Sequence, residues 1–254
     1  MSGQRVWTAA LIVIGDEILS GRTEDKNIAQ VARWLNGQGI RLQEVRVVPD
    51  VEDAIVEAVQ ALTSAHDYVI TTGGIGPTHD DITIDSVAKA FGVPVIIDER
   101  ARAILQSYYD ARGIEMTEAR LRMARVPKGA ELIDNPTSGA PGVKIGNVHI
   151  LAGVPNIAAA MLEALDGKLE GGSPVASVTI RAHAAESEVA ALLKQVQDQF
   201  PGVSIGSYPF YREAEGGFGA DFVVRSDDEQ LANRCANALR ARLLEAGIEL
   251  IDGA

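Results

Sequence analysis

Residues 69–91, VITTGGIGPTHDDITIDSVAKAF, carry an apolar strand directly into a glycine turn, an acidic tip and an amphipathic helix. No other stretch restricts the fold as much. A short apolar run without alternation reads as a strand buried on both faces, the condition of a parallel sheet covered by helices. Gly73, Gly74 and Gly76 supply the positive φ angles and close backbone approach that a tight turn before Pro77 and Thr78 requires. Ile84, Val87, Ala88 and Phe91 then recur at i, i+3, i+4 and i+7, with Thr83 expected to cap that helix and Gly92 to end it. His79, Asp80 and Asp81 lie between strand and helix. Taken alone, such a turn also serves as an ordinary connection with solvated acids.

The preceding residues supply the context. Thr8–Ile14 is β-branched and apolar and ends at Gly15-Asp16-Glu17. A helix carrying Ile28, Val31, Ala32 and Leu35 on one face follows, with Gly39 as its stop. Arg41–Val48 reads as a second strand, Asp50 as a cap, and Ile55, Ala58, Val59 and Leu62 as the face of a second helix before the strand Tyr68–Thr72. This βαβαβ order predicts a right-handed parallel unit. The fold class is therefore α/β, a three-layer, mostly parallel sheet with helices on both faces. Asp16 with Glu17, Asp50, and Asp80 with Asp81 then follow strands one, two and three, all at the carboxyl edge where open α/β sheets bind ligands.

Downstream, a short strand over 93–97 precedes helices over 99–112 and 117–124, with Tyr108 and Tyr109 expected in the core or at its rim. Strands are expected over 131–133 and 143–151, the latter broken at Gly146-Asn147. The loop Asn135-Pro136-Thr137-Ser138-Gly139-Ala140-Pro141-Gly142 separates them. Leu151-Ala152-Gly153-Val154-Pro155 repeats the strand-to-turn device, with Pro155 opening a helix that carries Ile157, Met161, Leu162 and Leu165. Its exposed amides suit an anion, although capping alone explains the turn. Residues 169–173 read as a linker between domains at 1–168 and 174–254. The second has the order βαββαβ, a small α+β domain, with its last strand at 248–251 and Gly216, Gly217 and Gly219 in a hairpin loop.

Composition narrows the partners. A formal charge of −12 argues against nucleic acid and anionic membrane surfaces. The one cysteine, Cys235, cannot form an intramolecular disulfide, and the apolar run 9–14 is too short for a signal core or a membrane span. A cytoplasmic protein without a membrane partner is expected, and its large apolar helix faces suggest a homo-oligomer. The nucleophile elbow G-x-S-x-G, the phosphate loop G-x-x-x-x-G-K-[ST] and the dinucleotide fingerprint after strand one are absent from the sequence, and its histidines lack zinc spacing. Carboxylates and glycine amides remain. Hard oxygen ligands suit Mg²⁺ or a similar divalent ion, and turn amides cradle phosphate oxygens, so the chemistry is phosphoryl or pyrophosphoryl transfer, or binding alone.

TTGGIGPTHDDIT, preceded by GDEILSGRTEDKN and followed by NPTSGAPG and GVP, resembles the MoaB/Mog-type domain of molybdenum-cofactor biosynthesis. It is most similar to the amino-terminal domain of the competence/damage-inducible CinA proteins and the related domain of eukaryotic FAD synthases. The resemblance spans residues 6–165, and Ile205-Gly206-Ser207-Tyr208-Pro209 resembles the CinA linker domain. It implies that Gly73, Gly74, Gly76, Pro77 and Thr78 cradle a pterin or nucleotide phosphate and that Ser138, Gly139, Ala140, Pro141 and Gly142 form a second ligand loop, with Gly153 nearby. It also implies that Asp81 and Asp50 are active-site acids, with Asp80 a further catalytic candidate. Asp81, Asp50 and Asp16 are the candidate metal ligands. CinA-like members are divalent-metal-dependent pyrophosphatases acting on ADP-ribose or related adenine dinucleotides, so Mg²⁺ or Co²⁺ is the implied cofactor and a small phosphorylated molecule, molybdopterin among the candidates, the implied ligand. In one place the sequence departs from the pattern. CinA-type proteins read P-G-V-P-S-E, whereas this chain has Ala152-Gly153-Val154-Pro155-Asn156-Ile157. With Ile157 in place of an acid, two readings stay open: a pyrophosphatase, or a protein that binds without turnover.

Overall fold

The structure, a computed structural model, describes residues 5–212 and 217–251, with Arg212 in its backbone alone. The chain divides into two compact units, Met1–Gly172 and Ser173–Ala254. In the first, β1 (Trp7–Ile14), α1 (Asp16–Leu19), α2 (Asn27–Gly37), β2 (Ile40–Val48), α3 (Glu52–Ala65), β3 (Tyr68–Thr72) and α4 (Thr83–Phe91) follow one another. After β4 (Val95–Ile97) come α5 (Glu99–Asp110), α6 (Glu118–Leu121), a 3-10 turn at Arg122–Ala124 and β5 (Arg125–Pro127). The unit closes with β6 (Glu131–Ile133), β7 (Gly142–Ile145), β8 (Val148–Leu151) and α7 (Pro155–Glu163).

A six-stranded sheet in the order β2-β1-β3-β8-β7-β6 organises this unit. The first four strands are parallel, and β7 and β6 are added antiparallel through the Gly146-Asn147 hairpin, so the sheet is mostly parallel, as the sequence predicts. The central strand β1 explains the three layers. Ala10, Ile12 and Ile14 pack with Ile55, Val59 and Leu62 of α3 and Val87 of α4. Ala9, Leu11 and Val13 face the other way, into Val31 and Leu35 of α2 and Met161 and Leu162 of α7. Alternation delivers successive residues to opposite faces, and because both are covered the strand reads as continuously apolar.

Two caps expected from sequence take other roles. Thr83 is the first residue of α4, fully buried, and its hydroxyl donates to the Gly73 carbonyl at 2.9 Å. Val51, not Asp50, precedes α3, because the Asp50 carboxylate turns back to accept from the Asp16 amide at 2.9 Å. Gly92 closes α4 with φ 65°, as expected. Residues 95–97 pair with β5 in a separate two-stranded sheet. The expected linker is held to its own unit: the Gly172 amide donates to Gly39 at 3.1 Å, and a Cβ on Gly171 would lie 1.8 Å from the Gln38 carbonyl oxygen.

The second unit contains β9 (Ala176–Ala182), α8 (Glu186–Asp198), β10 (Ser204–Arg212), β11 (Gly217–Ser226) and α9 (Glu229–Glu245). Its sheet is antiparallel, ordered β10-β11-β9. Ile180, Phe222 and Val224 pack with Val189 of α8 and Leu239 of α9. The strand expected at 248–251 is reduced to an antiparallel bridge between Leu250 and Ala182, flanked by hydrogen bonds from the His183 amide to the Glu249 carbonyl and from the Ile251 amide to the Arg181 carbonyl, both 2.9 Å. Gly217 and Gly219 lie within β11 rather than in a loop, and a Cβ on Gly219 would sit 2.5 Å from the Ala182 oxygen. Gly216 lies outside the described residues.

Candidate functional site

The strand order reverses at β1: the chain moves from β1 to β2 on one side, then crosses to β3 on the other. In open α/β sheets that reversal leaves a crevice beyond the carboxyl ends of the strands. Here a cavity of about 680 Å³ occupies it, within the size range of small-molecule sites.

The turn after β3 forms its floor. Gly73 has φ 105°, and a Cβ there would lie 2.1 Å from the Ile14 carbonyl oxygen, so any side chain would force β1 and β3 apart. Gly74 has φ 64° and is folded over Thr83, whose amide donates to the Gly74 oxygen at 3.0 Å. Thr83 thereby ties both glycine carbonyls to the start of α4. With those carbonyls directed into the protein, the turn leaves the amides of Gly74, Ile75 and Gly76 without an acceptor among the described residues. Successive free amides of this kind make an anion-binding concavity. Gly153, after β8, packs against the same turn, with a Cβ position 3.1 Å from the Gly73 Cα. Its carbonyl accepts from Asn27 Nδ2 at 2.8 Å, while Gln30 donates to Asn27 Oδ1 and to the Pro155 carbonyl. The first turn of α2 therefore clamps the second ligand turn.

Acids line the cavity: Glu17, Asp50, Asp80 and Asp81. Asp81 accepts from the Thr78 amide at 2.8 Å and from the Thr78 hydroxyl, which fixes its carboxylate beneath Gly76. Asp80 is exposed, and the nearby Thr78 hydroxyl and its own backbone amide lower its carboxyl from the ordinary aspartate value. No lysine or arginine is among the lining residues. The rest of the lining is largely apolar, with Ile75, Tyr109, Met123, Ala140 and Ile157 beside Asn135 and Ser138.

Of the residues singled out in the sequence, the structure brings Gly73, Gly74, Gly76, Pro77, Asp50, Asp80, Asp81, Ser138, Ala140 and Gly153 to this one cavity. Thr78 stands behind it as the partner of Asp81. Asp16 is exposed and contributes its amide to Asp50 rather than a side chain to the cavity. Gly139, φ 75°, is buried against the Tyr108 ring; Gly142 opens β7, where a Cβ would lie 2.9 Å from the Ile150 oxygen. Pro141 lines a neighbouring small pocket with Asp81 and Arg125. Among the described residues no group of three or more His, Cys, Asp and Glu side chains is arranged to hold a metal ion. A smaller ligand set than three is what Mg²⁺ asks of a protein, since it keeps several waters and takes one or two carboxylates plus phosphate oxygens from a substrate. Asp50 and Asp81 both place carboxylates on the cavity.

Residues 10–169 match the family model described as a probable molybdopterin binding domain. The chain belongs to that family. Residues 174–251 match the model for the middle domain of FAD synthase. A protein of Pyrobaculum calidifontis is 38% identical over 212 residues, 80% of each chain. One of Aeropyrum pernix is 38% identical over 215 residues, 81% of this chain and 79% of its own. The crystal structure of a CinA protein of unknown function from Thermoplasma acidophilum is 36% identical and superposes with a TM-score of 0.59, covering 64% of this chain and 98% of that one. Family membership supports a pterin or a nucleotide as the ligand. Among the described residues no helix is long and apolar enough to cross a membrane.

Sequence reasoning alone passes over Asn135. It is buried, and its side chain accepts from the amides of Thr137 and Ser138 and donates to Ser138 Oγ and the Ala140 carbonyl, so one residue shapes the whole loop. An asparagine opening a Pro- and Gly-rich loop is the signal that would reveal it, since its side chain closes such turns. Asn27 is equally hidden, because its partner Gly153 is distant in sequence.

Proposed function

We propose that the chain binds a phosphorylated pterin or adenine (di)nucleotide at the Gly73–Asp81 turn and hydrolyses a pyrophosphate bond of the ADP-ribose, FAD or coenzyme A type with a divalent ion. One observation carries this reading: the cavity combines unpaired turn amides with Glu17, Asp50, Asp80 and Asp81 and has no cationic side chain. A diphosphate placed among those carboxylates requires a cation between them. Asp50 and Asp81 would hold it, and when bound it would neutralise the diphosphate and lower the pKa of a coordinated water. The chain's own part is to seat the phosphates on the Gly74–Gly76 amides, hold the flat ring against Tyr109 and Met123, and fix Asp81 through Thr78. The test is AMP release from ADP-ribose, FAD and coenzyme A with Mg²⁺ and Co²⁺, which EDTA should abolish. A folded protein that turns over none of them refutes hydrolysis.

A second reading, binding without turnover, rests on Ile157. This residue lines the cavity at the first turn of α7 and also packs into the core beneath it. If the missing acid limits catalysis, Ile157→Glu should raise AMP release at least tenfold while leaving affinity within a few-fold. An unchanged rate would show that Ile157 has only a packing role.

A further inference from the structure

Beside the main cavity, at the start of α4, lies a second pocket of about 20 Å³ that shares Gly76 and Asp81 with it. Four ionisable side chains meet there. Asp81 and Asp85 come from the beginning of α4, Arg122 from the 3-10 turn and Arg125 from the first residue of β5. One pair is closed: Arg125 Nη2 donates to Asp85 Oδ1 at 2.5 Å. The other is open. Arg122 makes no ion pair among the described residues, and its Nε–H is buried without an acceptor there. Asp81 takes both of its hydrogen bonds from Thr78 on one oxygen, Oδ2, so its Oδ1 has no donor among the described residues.

A buried guanidinium N–H and a carboxylate oxygen that both lack partners, on residues lining one small pocket, are the groups that ordered water satisfies in protein interiors. Size selects the occupant. A single water takes up roughly 10–15 Å³ of such space, so one water fits and a phosphate does not. Chemistry then sets its orientation. Arg122 Nε can only donate and ionised carboxylates can only accept. A water that accepts from Arg122 therefore keeps both of its own hydrogens, one for Asp81 Oδ1 and one for Asp85 Oδ2, the oxygen that Arg125 does not use. Three hydrogen bonds are the usual complement of a buried water.

Resting on the proposed function, in which Asp81 holds the divalent ion, we infer that Arg122 is a positioning residue for Asp81, acting through one buried water shared with Asp85. Thr78 fixes one carboxylate oxygen and the water fixes the other, so the carboxylate is held against rotation about its Cβ–Cγ bond while Arg122 touches neither ion nor ligand. Arg122→Lys is the discriminating change, because it keeps the charge and puts a methylene where the Nε–H stands. Mn²⁺ titrations of the full chain with AMP present, read by the electron paramagnetic resonance of the free ion, should show binding about tenfold weaker in this variant, the equivalent of one well-placed hydrogen bond. In an Asp81→Ala background, where binding is already weakened, the same change should make no further difference. A second readout needs no metal. The Arg122 Nε–H resonance should be protected from solvent exchange, show cross-relaxation to a bound water, and shift in Asp81→Ala. Equal Mn²⁺ affinity in Arg122→Lys and the unsubstituted protein, an equal loss in both backgrounds, or an Nε–H that exchanges freely and ignores Asp81→Ala overturns the water link and leaves the proposed function standing. No Mn²⁺ binding by the unsubstituted protein, or binding that Asp81→Ala does not weaken, takes the ion away from Asp81 and removes the positioning role together with that part of the proposed function.

Discussion

His149 should make the first unit acid-labile. It sits on β8 between Ile70 and Lys144, is fully buried, and neither ring nitrogen has a hydrogen-bond partner among the described residues. Burial, reinforced by the nearby Lys144 charge, pushes its pKa from 6.5 down to about 4. In the unfolded chain the ring takes up a proton near its ordinary value, while the folded protein resists until about 4. As pH falls through that window the unfolded state binds more protons and stability declines; below it both states are protonated and the decline stops. At about 1.4 kcal/mol per pKa unit the loss is roughly 3 kcal/mol. Urea denaturation at pH 7.5, 6, 5 and 4 would measure it, followed by tryptophan emission, because Trp7 and Trp34 both lie in the first unit. The control is His149→Leu, which removes the titrating ring while the carboxylates titrate as before. The difference in stability between the two proteins should shift by about 3 kcal/mol against the histidine form between pH 7.5 and 4. Parallel pH profiles would refute the account.

Three further outcomes follow from local geometry. Asp98 caps α5 by accepting from the amides of Arg100 and Ala101, and the Arg100 guanidinium beside it, with those amides, holds its pKa at about 2. Asp98→Ala should cost about 1–2 kcal/mol near neutrality, and because the depressed carboxyl stabilises only while ionised, urea curves for the two proteins should converge as pH falls from about 4 through 2. Gly73→Ala should destabilise the first unit by about 2 kcal/mol or more, read as a fall in melting temperature, because φ 105° and the Ile14 oxygen both exclude a Cβ. Asn135→Ala should weaken ligand binding more than tenfold in calorimetry while changing the melting temperature by only a few degrees, since it releases a surface loop whose Ser138 and Ala140 line the cavity.

Much of this arrangement is legible in the sequence because it rests on local periodicity. The βαβαβ order follows from apolar runs and helical stripes, and once the first strands are parallel the acids after them must share an edge. What local pattern does not fix is where a polar side chain finds its partner. Asp50 and Thr83 both have the composition and position of helix caps, yet each is drawn to a backbone group on another loop, the Asp16 amide and the Gly73 carbonyl. The competition is physical: a cap satisfies an amide that water could otherwise reach, whereas the Gly73 carbonyl is buried and would go unpaired without Thr83. The same logic applies to Asn27, whose amide holds the Gly153 carbonyl from the opposite end of the unit. The glycine turn is therefore built from outside itself. Thr83 fixes it from α4, Asn27 steadies its neighbour from α2, and Asp50 sets the height of the loop after β1. Changes at these supporting residues should alter ligand affinity without any of them touching the phosphates: Thr83→Val, which keeps the shape and loses the hydroxyl, should weaken binding about tenfold by leaving the Gly73 carbonyl unpaired and free to turn. Measured by calorimetry beside Thr83→Ser, which restores the donor, a loss in the valine variant that serine does not recover would point to packing of the methyl group instead.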